Sequence, residues 1–215
     1  MKQIDINNKI HLFNGDNMEF MKDIPDKYYD LAAVDPPYGL GHRTTDGGSL
    51  KNSQTRFMND IRRTNWDNGI PSKSFFDELF RISKHQIIWG GNYFALPSNR
   101  CFICWDKMVY VPTMSQVEYA WSSFDSPARY IKIPSRDTNR FHPTQKPIKL
   151  YEWIYLNYAK QGMKIIDTHL GSASSAIAAY NVNMDLDFTG IEIDEEYFNN
   201  AVKRVKEQTK QLNLF

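Results

Sequence analysis

Short apolar runs alternate with segments of helical period along most of this chain. The runs Ile10–Asn14, Tyr29–Val34, Gln86–Trp89, Cys101–Trp105, Val117–Trp121, Lys164–Asp167 and Asp187–Ile191 span four to six residues each and read as seven strands. The pattern predicts helices over Asn17–Ile24, Ser72–Ser83, Pro147–Lys160, Ser172–Asn181 and Glu195–Leu212. Phe75 and Leu79, like Phe76 and Phe80, are four residues apart and share a helix face. Pro147 suits a first helical turn, and Gly162 suits the residue just past a helix end. Strands alternating with helices in this way predict an α/β fold whose mostly parallel sheet is covered on both faces.

Two stretches break the pattern. Gly39–Gly69 is polar, carries five glycines and has no sustained period, and Ser122–Phe141 is the second. The first is long for a loop without structure of its own, which points to a functional role. No internal repeat or composition shift divides the chain, so one domain over residues 1–215 is expected.

Composition narrows the classes. With 215 residues, 41% of them hydrophobic and 14% aromatic, the chain has the apolar surface for a full core and is no disordered or fibrous polymer. Cys101 and Cys104 are too few for a disulfide framework and point to a reducing compartment. On a strand, residues i and i+3 face opposite ways, which fits two core thiols better than a zinc site, and no metal is expected. No apolar run approaches the roughly 20 residues of a membrane span, and no leader pattern opens the chain, so a cytoplasmic location is expected. A net charge of +1 gives by itself no hint of a polyanionic partner. The charge is unevenly spread, however. Residues 42–63 hold five cations against two anions and residues 127–149 six against one, so the remainder is acidic.

The strongest chemical signal is Asp35-Pro36-Pro37-Tyr38, directly after the apolar run ending at Val34. Strand carboxyl ends are where open α/β sheets bind ligands. Two prolines hold the turn extended and remove two backbone donors, which leaves carbonyl acceptors. The Asp35 carboxylate and the Pro36 carbonyl are then placed to accept from an exocyclic amine, and the Tyr38 ring offers a face to a planar base. Drawing both amine hydrogens into acceptors concentrates electron density on the nitrogen, which can then attack a methyl donor. A proline-rich turn capped by an aspartate is the plain structural alternative.

A second signal runs from Ile165 to Ser174, where a strand feeds the turn Asp167-Thr168-His169-Leu170-Gly171-Ser172-Ala173-Ser174 and then a helix. Small residues let the backbone approach a ligand closely. A further strand ends at Glu192, about where an acid grips ribose hydroxyls in Rossmann-type sites. The turn lacks a phosphate-loop lysine and has too few glycines for the dinucleotide fingerprint. A ligand with a ribose and no pyrophosphate, such as S-adenosylmethionine, therefore fits better. Taken alone, this turn reads equally well as a tight strand-to-helix connection.

Asp35-Pro36-Pro37-Tyr38, then His142-Pro143-Thr144-Gln145-Lys146-Pro147, then the turn from Asp167 to Ser174, resemble in that order the amino-methylating DNA methyltransferases of the β group. The likeness extends over nearly the whole chain. Trp89-Gly90-Gly91-Asn92-Tyr93-Phe94, Trp105-Asp106-Lys107 and Glu118-Tyr119-Ala120-Trp121 look like the small phage or prophage branch. The resemblance implies a Rossmann-like, seven-stranded methyltransferase sheet in which the catalytic half precedes the cofactor half. It implies adenine-N6 methylation of DNA in a bacterial or phage-infected cell, with S-adenosylmethionine as cofactor and the target base flipped out of the duplex. Asp35, Pro36 and Tyr38 would hold the amine and stack on the base, and Pro37 would shape the turn. Asp167, His169, Gly171, Ser172 and Ser174 would line the cofactor, with Glu192 on its ribose and Lys146 near its carboxylate. Gly15-Asp16 looks like the motif whose acid approaches the adenine ring of the cofactor, and reads equally as a surface turn.

The chain departs from the family at Thr168-His169, where Pro-Phe is usual, and at Ala173, where a third glycine is usual. Weaker cofactor binding is the expected consequence, and a DNA-binding relative without activity is the alternative these departures suggest. Cytosine-N4 methylation shares the chemistry, but its enzymes more often carry serine in place of Asp35. RNA or protein-amide methylation is the other alternative. Arg43, Lys51, Arg56, Arg62 and Arg63 in the first irregular stretch, with Arg129, Lys132, Arg136 and Arg140 in the second, are the candidate DNA-facing cations. Each also reads as solvated surface. The last five residues, Gln211-Leu212-Asn213-Leu214-Phe215, resemble the pentapeptide with which bacterial replication proteins hook the sliding clamp, with Gln211, Leu212, Leu214 and Phe215 as anchors. A helix end folded back on its own core is the alternative for that tail. The oligomeric state is not legible.

Overall fold

A computed structural model describes residues 1–40, 69–110, 115–135 and 145–211. Among these residues nine strands form one mixed sheet: β1 (Lys2–Asn7), β2 (Ile10–Asn14), β3 (Tyr29–Val34), β4 (Ser83–Trp89), β5 (Phe102–Asp106), β6 (Val117–Ser122), β7 (Arg129–Lys132), β8 (Lys164–Asp167) and β9 (Asp187–Glu192). Their spatial order is β1-β2-β9-β8-β3-β4-β6-β5-β7. The five strands β2, β9, β8, β3 and β4 are mutually parallel, and β1 and β6 run against their neighbours β2 and β4. The helices are α1 (Asn17–Lys22), α2 (Lys73–Ile82), α3 (Ile148–Tyr158), α4 (Ser174–Asn181) and α5 (Glu195–Gln211).

Alternation along the central strands creates two cores. Leu31 and Ala33 of β3, Ile87 and Trp89 of β4 and Ile165 of β8 point to the side covered by α3, α4 and α5. Tyr29, Ala32, Val34, Ile88 and Ile166 point the other way, against Met21 of α1 and Phe75, Phe76, Leu79 and Ile82 of α2. Strands buried on both faces read as continuous apolar runs, which is why the pattern shows them clearly.

All seven expected strands are present, within three residues at each end, and two more join them. β1 pairs antiparallel with β2 at one edge, and its burial never passes intermediate. β7 lies at the opposite edge, parallel to β5, and presents Arg129, Tyr130 and Lys132 to solvent. Edge strands of this kind lack a buried face and therefore an apolar signature. β7 corrects the expectation that residues 122–141 are irregular throughout. Helix α4 begins at Ser174 rather than Ser172, because Ala173 caps it in the left-handed conformation, with φ +58°. Cys101 is buried and Cys104 half-buried, and both are free thiols. Among the described residues no helix is long and apolar enough to cross a membrane.

Candidate active site

Parallel pairing of β9, β8 and β3 brings their carboxyl ends to one edge of the sheet. Glu192 ends β9, Asp167 ends β8 and Asp35 follows β3, so three acids stand across three adjacent strands, about 5 Å apart per strand step. Chain direction reverses its progression across the sheet between β8 and β3, the switch point where open α/β sheets bind ligands. A cavity of about 360 Å³ opens there, with Asp35, Pro37 and Lys146 at one part of its wall and Gly171, Ser172 and Glu192 at another. That is within the range of small-ligand sites, roughly 300–1,000 Å³.

The turn after β8 is pinned by its neighbours. The Leu170 N–H donates to the Ile191 carbonyl at 2.8 Å, and the Gly171 N–H donates to Glu192 Oε2 at 2.8 Å. Arg204 of α5 donates to the Ser172 carbonyl at 2.7 Å and to Ser174 Oγ at 2.9 Å. Asp167, 1% exposed, accepts from the His169 N–H and from the Ser175 hydroxyl at 2.6 Å. Burial pushes its carboxyl up to about 7, against these two donors and with help from the like charges of Asp35 and Glu192. Burial likewise raises Glu192, although the Asp194 and Gly171 N–H groups oppose it. His169 sits between Thr168 Oγ1 (3.0 Å) and Asn17 Nδ2 (3.3 Å), edge-on to Phe75, and burial lowers it to about 4, so it is neutral at physiological pH.

The two family departures fall on different sides of the chain. Thr168 and His169 line the cavity, whereas Ala173 is fully buried among core residues and does not line it. The Ala173 methyl therefore enters the core and leaves the cavity unchanged. Its cost is conformational, about 1–2 kcal/mol for a non-glycine residue in the left-handed region.

Asp35 is engaged on both oxygens. The Tyr38 hydroxyl donates to Oδ1 at 2.7 Å, and the Lys146 ammonium lies 2.6 Å from Oδ2. The same ammonium forms an ion pair with Glu118 Oε2 at 3.2 Å, without hydrogen-bond geometry, and donates to Tyr38 Oη at 3.2 Å. Lys107 Nζ reaches the other Glu118 oxygen at 3.2 Å. Lys146 lines the cavity, and its ion pairs also tie it to the Asp35 turn. Burial works against the Lys146 charge, but Asp35 and Glu118 outweigh it and its net direction is upward. The Tyr38 ring stacks on Tyr93, with centroids 5.1 Å apart and planes at 17°. Gly90, at φ +70°, lies under the Tyr38 ring, where a Cβ would come within 2.2 Å of Cε1.

The other sequence-derived candidates are placed as follows. Pro36 and Pro37 extend from β3, and Pro37 lines the cavity. Asp16 is the N-cap of α1, accepting from the Met18 and Glu19 N–H groups, and the cavity is lined by its neighbours Gly15 and Asn17. Arg129 and Lys132 are exposed on β7, whose parallel pairing with β5 turns Lys132 toward the active edge. Arg43, Lys51, Arg56, Arg62, Arg63, Arg136, Arg140 and the tail from Leu212 lie outside the described residues, as do His142, Pro143 and Thr144. Gln145, within the motif from His142 to Pro147, lines the cavity, and Glu118, Tyr151 and Ser175 are part of the site or its support and had no role assigned from sequence. Among the described residues no cluster of His, Cys, Asp and Glu is arranged to hold a metal.

Ligand-free Asp167 should behave as a titrating destabiliser. Its folded value lies above the unfolded one, so its favourable contribution is complete below about pH 4 and is lost as pH rises through 7. Urea unfolding of Asp167→Asn and wild type should therefore diverge in favour of the variant between pH 4 and 8, by up to about 4 kcal/mol. A pH-independent difference would contradict the raised value.

Comparison with known proteins agrees with this geometry. The chain is 27% identical over 172 residues to the type II methyltransferase M2.MboI of Moraxella bovis and 36% identical over 164 residues to M2.DpnII of Streptococcus pneumoniae. These alignments cover 78% and 76% of this chain, which spans 56% of the length of each relative. The fold matches that of the M1.HpyAVI–SAM complex at a TM-score of 0.55 and 20% identity, covering 91% of this chain and 98% of that one. The Asp35 turn precedes the segment that matches a family model, and β3 carries it to the same edge. That segment, residues 84–203, is more than half of the chain and matches the model described as DNA methylase, so this protein belongs to the N6/N4 DNA methylase family.

Proposed function

We propose that this chain is one methyltransferase domain that transfers a methyl group from S-adenosylmethionine to the N6 amine of a flipped-out adenine in DNA. The single observation that carries the proposal is the alignment of Asp35, Asp167 and Glu192 on one edge of the sheet, where Asp35 and Glu192 line a cavity of small-ligand size and Asp167 lies buried behind its wall. The cavity wall is acidic: Asp35, Glu192 and Asp194 face it, against one lysine already paired to two carboxylates. Such a set of acceptors suits a sulfonium cation with a ribose. Glu192 would accept from the ribose hydroxyls, while the turn Gly171-Ser172 allows close approach of the methionine part. M1.HpyAVI, whose fold this chain shares, forms a complex with that same ligand.

S-adenosylmethionine supplies the methyl group as an electrophile when bound. Asp35 and the Pro36 carbonyl accept the two amine hydrogens, which keeps the nitrogen lone pair out of the ring and aims it at the methyl carbon. The nitrogen–carbon bond forms as the carbon–sulfur bond breaks with its electron pair left on sulfur, and the amine sheds one proton toward Asp35. Tyr38 supplies a ring for the base. Flipping costs a few kcal/mol, which phosphate contacts offset. Arg129 and Lys132, with the cations of residues 41–68 and 136–140, are the groups we assign to those contacts. The cytoplasm of a bacterial or phage-infected cell is the location that follows.

Labelled S-adenosylmethionine offered with DNA, RNA and protein should mark DNA adenine only. Asp35→Ala should lower that transfer by about 10²–10³-fold or more while the cofactor Kd changes little. Label surviving in Asp35→Ala would refute the mechanism, label on cytosine would replace the substrate, and no label would favour an inactive relative. Ala173→Gly should leave the cofactor Kd within about twofold of wild type by calorimetry, because the methyl faces the core. A tighter Kd by tenfold or more would return Ala173 to the cofactor wall.

The sliding clamp is the second partner we propose, from the sequence Gln211-Leu212-Asn213-Leu214-Phe215 alone. Purified clamp should be retained by the full chain and lost on removal of these five residues. Equal recovery would sink the idea.

A further inference from the structure

The site holds one more carboxylate than the methyl transfer requires. Glu118 stands at the start of β6, which runs antiparallel to β4 and so opens at the active edge. Lys146, with only 4% of its side chain exposed, lies 2.6 Å from Asp35 Oδ2 and 3.2 Å from Glu118 Oε2, and the two acid side chains are more open, at 15% and 24%. The cation is nearly closed to solvent and sits between the two anions, with Lys146 and Asp35 on the cavity wall and Glu118 behind it. A target amine that accepts Asp35 as its partner meets an oxygen already held by this ammonium, while Oδ1 is held by Tyr38. A buried ammonium that simply let go would be left without a counter-charge, which is costly. Glu118 removes that cost, and Lys107 on its far oxygen keeps the four-group chain neutral.

Resting on Asp35 as the acceptor of the target amine, we propose that Glu118 is a second seat for the Lys146 ammonium, which shifts from Asp35 to Glu118 as the amine docks. Lys146 and Glu118 are then positioning residues for Asp35. From the Glu118 seat the cation still lies close enough to keep Asp35 ionised, the state that accepts hydrogens. Burial pushes the Asp35 carboxyl up, Lys146 pulls it down and Glu118 pushes it up again. Removal of Glu118 and removal of Lys146 should therefore move Asp35 in opposite directions. A static ion pair would move it in the same way, so the loss of kcat in Glu118→Gln at unchanged cofactor Kd is the readout that requires the second seat.

The other charged groups facing this cluster are Lys107 at the end of β5, Tyr38, Tyr151 of α3, Asp167 of β8 and, beyond it, Glu192 of β9. Burial holds Tyr38 and Tyr151 well above the usual phenol range, so they are silent between pH 5 and 9. Asp167 titrates within that window, so Asp35 must be followed by its own signal.

The test uses the full chain, with the Asp35 carboxyl followed by carbon-13 NMR, its resonance identified by Asp35→Asn. Steady-state transfer to DNA is measured alongside. In Glu118→Gln the Asp35 titration and the acid limb of kcat/KM should move down by about one pH unit, and in Lys146→Met both should move up. Lys146→Arg should restore the limb to near its wild-type position. Glu118→Gln should also lower kcat by about 10- to 100-fold with an unchanged cofactor Kd, because Lys146 then stays locked on Asp35. Should Glu118→Gln not fold, Glu118→Asp, which keeps the charge on a shorter arm, should lose rate with no shift of the limb. Identical Asp35 titrations in wild type and Glu118→Gln, or wild-type kcat in whichever Glu118 variant folds, would overturn the proposal. Absence of methyl transfer by the wild-type protein would overturn the functional assignment instead, since the carboxyl titrations read the Lys146 pairing without turnover.

Discussion

Parallel pairing of β3, β8 and β9 is the constraint on which the rest of this molecule depends. About 130 residues separate the Asp35 turn from Asp167, and only the β3–β8 ladder makes them neighbours. Because parallel strands share a direction, every turn that leaves a carboxyl end arrives on the same edge. The two interlocking cores then fix the edge in space: Leu31 and Ile165 pack toward one helical layer, and Ala32 and Ile166 toward the other. A one-residue slip in this register would exchange those faces, so the spacing of the three acids is held by packing on both sides.

Collecting acids at one edge carries an electrostatic penalty, and the protein meets it differently at each strand. Asp167 accepts two donors and is still raised by its burial, so a proton is its counter-charge near neutral pH. Glu192 uses the backbone N–H groups of Gly171 and Asp194, which cost nothing extra because the turn must place them somewhere. Asp35 alone is paired with a full positive charge, from Lys146. That difference follows from chemistry. Under the proposed function, groups that bind can work as fixed dipoles, but an acceptor for a reacting amine must remain ionised during the reaction, and a nearby cation is the direct means.

Much of this was legible in the residues. The apolar runs of β3 and β8 coincide with their strands, because strands buried on both faces leave little room for polar interruption, and β2 coincides with its own through alternation of buried and half-buried residues. The tetrapeptide from Asp35 to Tyr38 was visible because two consecutive prolines are so restrictive. Glu118 was not, although its segment stood out. A strand read as parallel would send its first residues to the far edge, and only the antiparallel pairing of β6 with β4 and β5 turns Glu118 toward Asp35. Strand direction is a property of the whole sheet and leaves no local mark. The same holds for Lys146, whose motif suggested the cofactor and whose ion pairs tie it to Asp35 and Glu118. β1 and β7 escaped for the opposite reason, since edge strands are polar on most of their surface.

The strand directions around β6 also bear on how a nearly neutral chain could take the DNA substrate proposed for it. β6 alone runs against β4; β5 and, through it, β7 run with β4 and carry Lys107 and Lys132 to the same edge that holds the cavity. The cavity wall carries three acids and one lysine that is paired to carboxylates, while outside it exposed cations occupy the edge strand. Separation of charge by depth suits two ligands of opposite sign at one edge, a cation inside and a polyanion outside. Net charge averages over both and therefore predicts neither.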